Sequence, residues 1–305
     1  MNVVMLSGGV GGARLARGLA RAPGIDLTLI VNVGDDDTDY GLAVSPDIDT
    51  VLYTVAGVES EAGWGLAYDS FAVMARLEEF GVNTTMRIGD RDLAGKLFRT
   101  MELYRGIPLS EITGRMAEVI GLEVTILPAS DNSVRTEILT PDDEWLSFRE
   151  YFVHRAHKDD VIDIRFAGAD RAVPAPGVLE AIANADAVIV GPSNPPLSIW
   201  PILAIPGIAP AIIDRPRVVG VSPLIGGKAL KGPADQVLLS LGLPPGNEGV
   251  LAAYDGVVNE LVIDQQDATD RGALTALGAR VHVRNTRLAT MESSVSFAEW
   301  LIEIL

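Results

Sequence analysis

A Rossmann-like open α/β fold, with a mostly parallel sheet and a mixed helical and α+β insert, is predicted by three observations. Short, fully apolar runs end repeatedly in glycine- or proline-rich turns. The first run is followed by a glycine turn and then by apolar residues at helical spacing. These runs also lack the alternation of a sheet with one wet face, which marks strands covered on both sides.

Taken in order, Val3 to Leu6 is the first strand, Ser7 to Gly12 the turn, and Leu15, Leu19 and Ala22 the buried stripe of the first helix. Leu27 to Val33 is a second buried strand. Trp64 to Phe80 carries apolar residues at Leu66, Phe71, Met74, Leu77 and Phe80 and reads as a helix, followed by helices over 91–104 and 109–120. Glu123 to Pro128, Ser133 to Leu139 and Trp145 to Phe152 read as strands of the insert. Asp186 to Val190 runs into GPSNPP and Arg217 to Val221 into SPLIGG, giving four strands that discharge into polar turns. Ligands of such sheets gather outside the carboxyl ends of the strands, so these turns are expected to share one crevice. Leu261 to Ile263 and Ala279 to Val283 are further apolar runs before a final helix, Val295 to Leu305. The expected organisation is a single domain over 1–305, with the α/β core at 1–55 and 180–305 and the insert at 56–179.

Composition narrows the chemistry. The 305 residues carry 41 acidic and 24 basic side chains, a formal charge of -17. Such a surface repels phosphate backbones, so nucleic acid is not an expected partner. No cysteine is present, which excludes a thiolate nucleophile and a cysteine-ligated zinc site. With three histidines, His154 and His157 lacking a completing third ligand, a metal is expected on carboxylate oxygens, as for magnesium. Met1 to Leu6 lacks the pattern of a secretory signal, and no apolar stretch is long enough to span a bilayer, so no membrane association is expected.

The candidate chemistry lies in the turns. Ser7-Gly8-Gly9-Val10-Gly11-Gly12 offers backbone donors at a helix start, suited to an anion, but lacks the terminal Lys-Ser/Thr pair of a phosphate-loop ATPase. Its spacing and following residues also fail the nicotinamide-binding fingerprint. Asp35-Asp36-Asp37 and Asp47-Ile48-Asp49 concentrate carboxylates that need a cation, basic groups or water, although turn and helix-start preferences alone also favour aspartate there. Asp49 is the first choice for orienting or deprotonating a hydroxyl, or for holding the metal. Arg91 in Gly89-Asp90-Arg91-Asp92 suits a phosphate or a planar ring, or a charge-paired helix start. Lys228 and Lys231 lie beside a glycine loop and suit phosphates. Trp64 and Tyr68 are candidates for an apolar wall, with core packing as the competing role.

Five ordered motifs, GGVGG at Gly8 to Gly12, SPDIDTVLY at Ser45 to Tyr53, GDRD at Gly89 to Asp92, GPSNP at Gly191 to Pro195 and SPLIGGKALKGPA at Ser222 to Ala234, resemble the 2-phospho-L-lactate transferases of deazaflavin coenzyme F-420 biosynthesis, and within them the actinobacterial phosphoenolpyruvate transferase branch. The resemblance runs almost end to end. It implies a cytoplasmic, magnesium-dependent, homodimeric enzyme whose donor is a guanosine-diphosphate-activated three-carbon acid. In this branch the donor is enolpyruvyl-diphospho-5'-guanosine; the phosphoenolpyruvyl moiety passes to 7,8-didemethyl-8-hydroxy-5-deazariboflavin, giving dehydro coenzyme F-420-0 and GMP. The alternatives are transfer from lactyl-2-diphospho-5'-guanosine and a non-catalytic nucleotide-binding regulator. By the same resemblance, Asp49 and Arg91 meet the deazaflavin acceptor, and Gly8, Gly9, Gly11, Gly12, Ser193, Asn194, Ser222, Lys228 and Lys231 lie toward the nucleotide. Asp36, from a triple carboxylate whose members spacing does not rank, and Asp49 are the expected magnesium ligands.

Overall fold

Seven buried or half-buried segments align in parallel in the computed structural model, which describes Met1 to Leu305. In chain order they are β1 (Asn2–Ser7), β2 (Asp26–Val31), β3 (Thr125–Pro128), β4 (Ala187–Val190), β5 (Val218–Val221), β6 (Glu260–Asp264) and β7 (Arg280–Arg284). Their spatial order is β7-β6-β5-β4-β1-β2-β3, and every neighbouring pair is parallel. The chain therefore winds outward from β1 to β3, returns to the centre at β4, and winds the other way. The reversal falls between β1 and β4, and it is there that a doubly wound sheet opens a crevice for ligands.

Burial explains why these segments are strands. Ala187, Val188, Ile189 and Val190 are all buried, as are Val218 to Val221 and the whole of β6, which leaves no wet face and favours β-branched residues on both sides. The first helix, α1 (Gly9–Leu19), lays Ala13, Leu15, Ala16 and Leu19 against this core. The helix Met291–Ile304 packs on α1 closely enough that a Cβ on Gly18 would stand 2.1 Å from the Ser294 carbonyl oxygen. α2 (Pro46–Ala56) starts with Pro46 in its first turn and ends at Gly57 in the left-handed region, the usual punctuation of a helix.

Between α2 and β4 the chain builds α3 (Ala72–Glu79), α4 (Asp90–Tyr104), α5 (Leu109–Val119) and an antiparallel three-stranded sheet of Arg135–Leu139, Trp145–Ser147 and Asp163–Ala167. Within the segment expected as an insert, the elements differ from the sequence reading in three places. β3, expected within it, joins the main sheet beside β2, so the chain re-enters the core midway through 56–179. The expected helix from Trp64 is confined to Ala72–Glu79, because Gly63, Gly65 and Tyr68 take positive φ and Glu59 bridges Leu66 across a tight reversal. The expected strand Trp145 to Phe152 stops at Ser147, and residues 150–154 wind into a π-helical turn.

α4 is turned inside out. Its buried face carries Asp92, Lys96, Arg99 and Glu102, while Leu97, Phe98, Met101 and Tyr104 are exposed, Tyr104 at 94%. An ordinary amphipathic helix buries its apolar stripe. The reversal places charges, rather than methyl groups, beneath the acidic turns.

Candidate active site at the sheet reversal

The turns after β1 and β4 meet directly at the reversal. The Ser193 hydroxyl donates to the Gly8 carbonyl at 2.7 Å and accepts from the Gly8 amide at 3.2 Å. Glycine is required by this approach: a Cβ on Gly11 would stand 2.1 Å from the Pro192 carbonyl oxygen, and one on Gly8 would meet Asp47 and Ser198 at 2.6 Å. The structure thus brings together the expected Gly8, Gly9, Gly11, Gly12, Ser193 and Asn194. The Asn194 side chain caps the turn that follows by accepting from the Leu197 amide.

The positive end of α1 already faces a carboxylate. The Gly9 amide donates to Asp47 at 2.7 Å, and Asn32 Nδ2 donates to both Asp47 (2.9 Å) and Asp35 (3.0 Å). Asp35, Asp36, Asp47 and Asp49 are all buried. Burial pushes Asp35 well above its ordinary value, with the Asp47 charge adding to the rise, and lifts Asp47 to about 6. Burial also lifts Asp36 to about 7, even against the pull of Arg99 and Arg135. Ser45 donates to one oxygen of Asp36 at 2.9 Å, while the other, Oδ1, is buried without a partner.

Asp49 differs from these three. Arg99 grips it with both terminal nitrogens, one at 3.2 Å from Oδ2 and the other on Oδ1, and Lys96 reaches Oδ2 at 3.3 Å. Burial acts to raise Asp49, but the two cations outweigh it and hold the carboxylate below its usual range. Lys96 also donates to Asp92 at 2.5 Å, and Asp92 accepts from the Tyr53 hydroxyl at 2.9 Å. Negative charge is thus balanced by protein cations at the Asp49 end, whereas the Asp35–Asp47 end has only an amide and a backbone N–H.

The residues that best suit the expected magnesium ion centre on Asp36, which also feels the charges of Arg99, Arg135 and Asp49. Asp36 Oδ1 is buried without a donor, and magnesium is commonly held by one or two carboxylates with substrate phosphates completing its shell. No three histidine, aspartate or glutamate side chains converge as a full protein cage. Of the expected pair, Asp36 has a free buried oxygen and Asp49 has both oxygens engaged.

The remaining expected residues lie around this centre at varied depth. Arg91 is exposed at the start of α4, where its backbone amide donates to Asp69. Ser222 is buried and committed to Asn247 at 2.6 Å. Lys228 is exposed on the hairpin Leu224–Ile225/Lys228–Ala229. Lys231 donates to the Ala62 carbonyl at 2.6 Å and sits over the Trp64 ring, tying the 58–67 reversal across the glycine turn. Trp64 and Tyr68 are both exposed, which rules out the competing role of core packing. A polar cavity of about 430 Å³ opens outside the carboxyl ends of β5 and β6, lined by residues that include Gly226, Gly227, Glu248, Asp267 and Asp270.

Sequence reading missed Asn32, Lys96 and Arg99 as parts of the site. The available signal was the spacing of Asp92, Lys96, Arg99 and Glu102, which puts four charges on one helical face opposite an apolar one.

Comparison with known proteins settles the family. The profile described as 2-phospho-L-lactate transferase CofD matches residues 3–293. The chain belongs to the 2-phospho-L-lactate transferase family. A phosphoenolpyruvate transferase of Kitasatospora aureofaciens is 39% identical, over 98% of this chain and 96% of that protein. One from Streptomyces griseus is 38% identical over 100% and 98%. The 2-phospho-L-lactate transferase of Methanocaldococcus jannaschii is 36% identical over 99% and 97%. A crystal structure of a UPF0052-family protein from Bacillus halodurans superposes with a TM-score of 0.70 at 19% identity, over 99% of this chain and 98% of that one, a likeness of fold.

Proposed function

We infer that this family member transfers the phosphoenolpyruvyl moiety of enolpyruvyl-diphospho-5'-guanosine to the terminal hydroxyl of the deazaflavin acceptor, releasing GMP. The observation that carries the reading is the cluster near the sheet reversal, where a glycine turn, buried carboxylates and two buried cations converge in a chain of this family. The acceptor oxygen bonds to the phosphorus bearing the three-carbon acid. The phosphorus–oxygen bond to GMP breaks with its electron pair on the GMP oxygen, and the hydroxyl proton is released to water. No covalent enzyme intermediate is needed, so positioning and electrostatics supply the catalysis.

Within this reading, Asp36 would hold magnesium, which would neutralise charge on the diphosphate when bound. Asp49 meets the acceptor hydroxyl, Arg91 the acceptor at the mouth, and Lys231 and Lys228 the phosphate side. The cavity beyond β5 and β6 suits the donor's base: its carboxylate wall repels phosphates but accepts from the N–H edge of guanine. The choice of enolpyruvyl over lactyl donor rests on the Kitasatospora and Streptomyces relatives. The exposed apolar face of α4 is the proposed homodimer contact, since patches of this kind mark interfaces. No helix is long and apolar enough to cross a membrane, and a cytoplasmic location is part of the proposal.

Purified protein with magnesium, donor and acceptor is expected to yield a phosphodiester product and equimolar GMP by mass spectrometry, and neither after EDTA treatment. Tight nucleotide binding without product or GMP would establish the non-catalytic regulator instead.

A further inference from the structure

Arg99 is fully buried, and Lys96 is only 5% exposed, on a helix whose opposite face shows Leu97, Phe98, Met101 and Tyr104 to solvent. Stability alone does not call for this arrangement, because buried ion pairs are often no better than apolar side chains of similar volume. Both cations converge on one carboxylate. Arg99 spans its two oxygens, and Lys96 bridges from Asp49 to Asp92, which is itself tied to Tyr53 on α2, the helix that carries Asp49. Asp49 is therefore held in one orientation by the facing helix, with both oxygens engaged, while Asp36 keeps a buried oxygen free.

We propose that Lys96 and Arg99 are positioning residues for the transfer: they hold Asp49 as a fixed hydrogen-bond acceptor for the attacking hydroxyl and keep it out of the metal's donor set. This rests on the transfer reading above. The bonds made and broken are those of that reaction; Asp49 orients the hydroxyl while its oxygen bonds to phosphorus, and the proton goes to water as GMP leaves. The charge pair works by geometry, since a planar guanidinium gripping both oxygens leaves the carboxylate little rotational freedom.

A double-mutant cycle tests it in the full-length enzyme, using Lys96→Gln and Asp49→Asn singly and together. Lys96→Gln keeps the Arg99 grip and so tests folding least. It is expected to lower kcat by about 10-fold while the KM for acceptor moves by less than about 3-fold, and to cost less than about 2-fold more once Asp49 is Asn. An equal loss in both backgrounds would show a merely structural role and overturn the proposal. Arg99→Lys should recover part of the kcat lost in Arg99→Met, provided both fold by circular dichroism; absent any recovery in folded protein, the grip on Asp49 is not what Arg99 supplies. Manganese binding followed by electron paramagnetic resonance reads the second half without turnover. Asp49→Asn should leave manganese affinity within about 2-fold, while Asp36→Ala should weaken it by about 10-fold or more. Equal weakening by both would return Asp49 to the donor set. A wild-type enzyme that forms no phosphodiester product would defeat the transfer reading, and the manganese result would still decide where Asp49 belongs.

Discussion

Replacing Asp36 by asparagine should make the metal-free protein more stable at pH 8 while abolishing the transfer, if Asp36 holds magnesium as proposed. Burial lifts the Asp36 carboxyl from 3.8 to about 7, so between those values the folded state retains a proton that the unfolded chain has released. A group that binds its proton more tightly when folded loses stability as pH rises through that window. Once ionised above pH 7, it costs on the order of 4 kcal/mol, taking about 1.36 kcal/mol per pH unit. Asparagine carries no charge and can still accept from Ser45, which donates to Asp36 at 2.9 Å. Urea unfolding in EDTA from pH 4 to pH 8 measures the effect. The two proteins should be similar near pH 4, and the variant should gain progressively up to about pH 7, by on the order of 4 kcal/mol, and hold that gain at pH 8. Asp49, held below the usual range by Arg99 and Lys96, stays charged across this window and contributes no slope. A pH-independent difference, or a variant that loses ground as pH rises, would refute the reasoning.

Other outcomes follow from particular contacts. Gly11→Ala puts a methyl group 2.1 Å from the Pro192 carbonyl oxygen; it should cost about 1–3 kcal/mol in urea unfolding and weaken donor binding measured by calorimetry. Lys231→Ala removes the bond to Ala62 and the cation above Trp64, so limited proteolysis should cut the 58–67 segment faster, with cutting at the wild-type rate contradicting the tie. The proposed homodimer contact predicts a dimer mass for the wild type in light scattering and a monomer mass for Phe98→Glu, on the exposed face of α4, with an unchanged circular dichroism spectrum; a monomeric wild type or a dimeric variant would contradict it.

The central strands were readable because burial on both sides leaves runs such as Ala187 to Val190 with no polar position to confuse the pattern. That the sheet is parallel followed from the glycine turn and the turns after these runs. β3 was misplaced because Thr125–Pro128 is a short edge strand with Thr125 exposed and Leu127 only half-buried, so composition alone could not tie it to β2. The apolar spacing through Leu66, Phe71 and Met74 mimicked a helix across a segment that Gly63, Gly65 and Tyr68 bend back on itself. In the site, the density of carboxylates at Asp35 to Asp37 and Asp47 to Asp49 was visible, since so much like charge demands a partner. Which partner it had was not. Lys96 and Arg99 lie about fifty residues downstream of Asp49 on a helix with an apolar face as well as a charged one, and only tertiary packing turns the charged face inward. The glycine turn gave its helix start correctly, but not that Asp47 accepts from Gly9 there.

The most direct test offers the purified enzyme both guanosine-diphosphate-activated acids at equal concentration with magnesium and the deazaflavin acceptor, and reads product masses and GMP together. The account predicts the enolpyruvyl phosphodiester as the dominant product, with one GMP released for each. A dominant lactyl product would reassign the donor while keeping the reaction. Nucleotide binding with neither phosphodiester nor GMP would contradict the transferase itself.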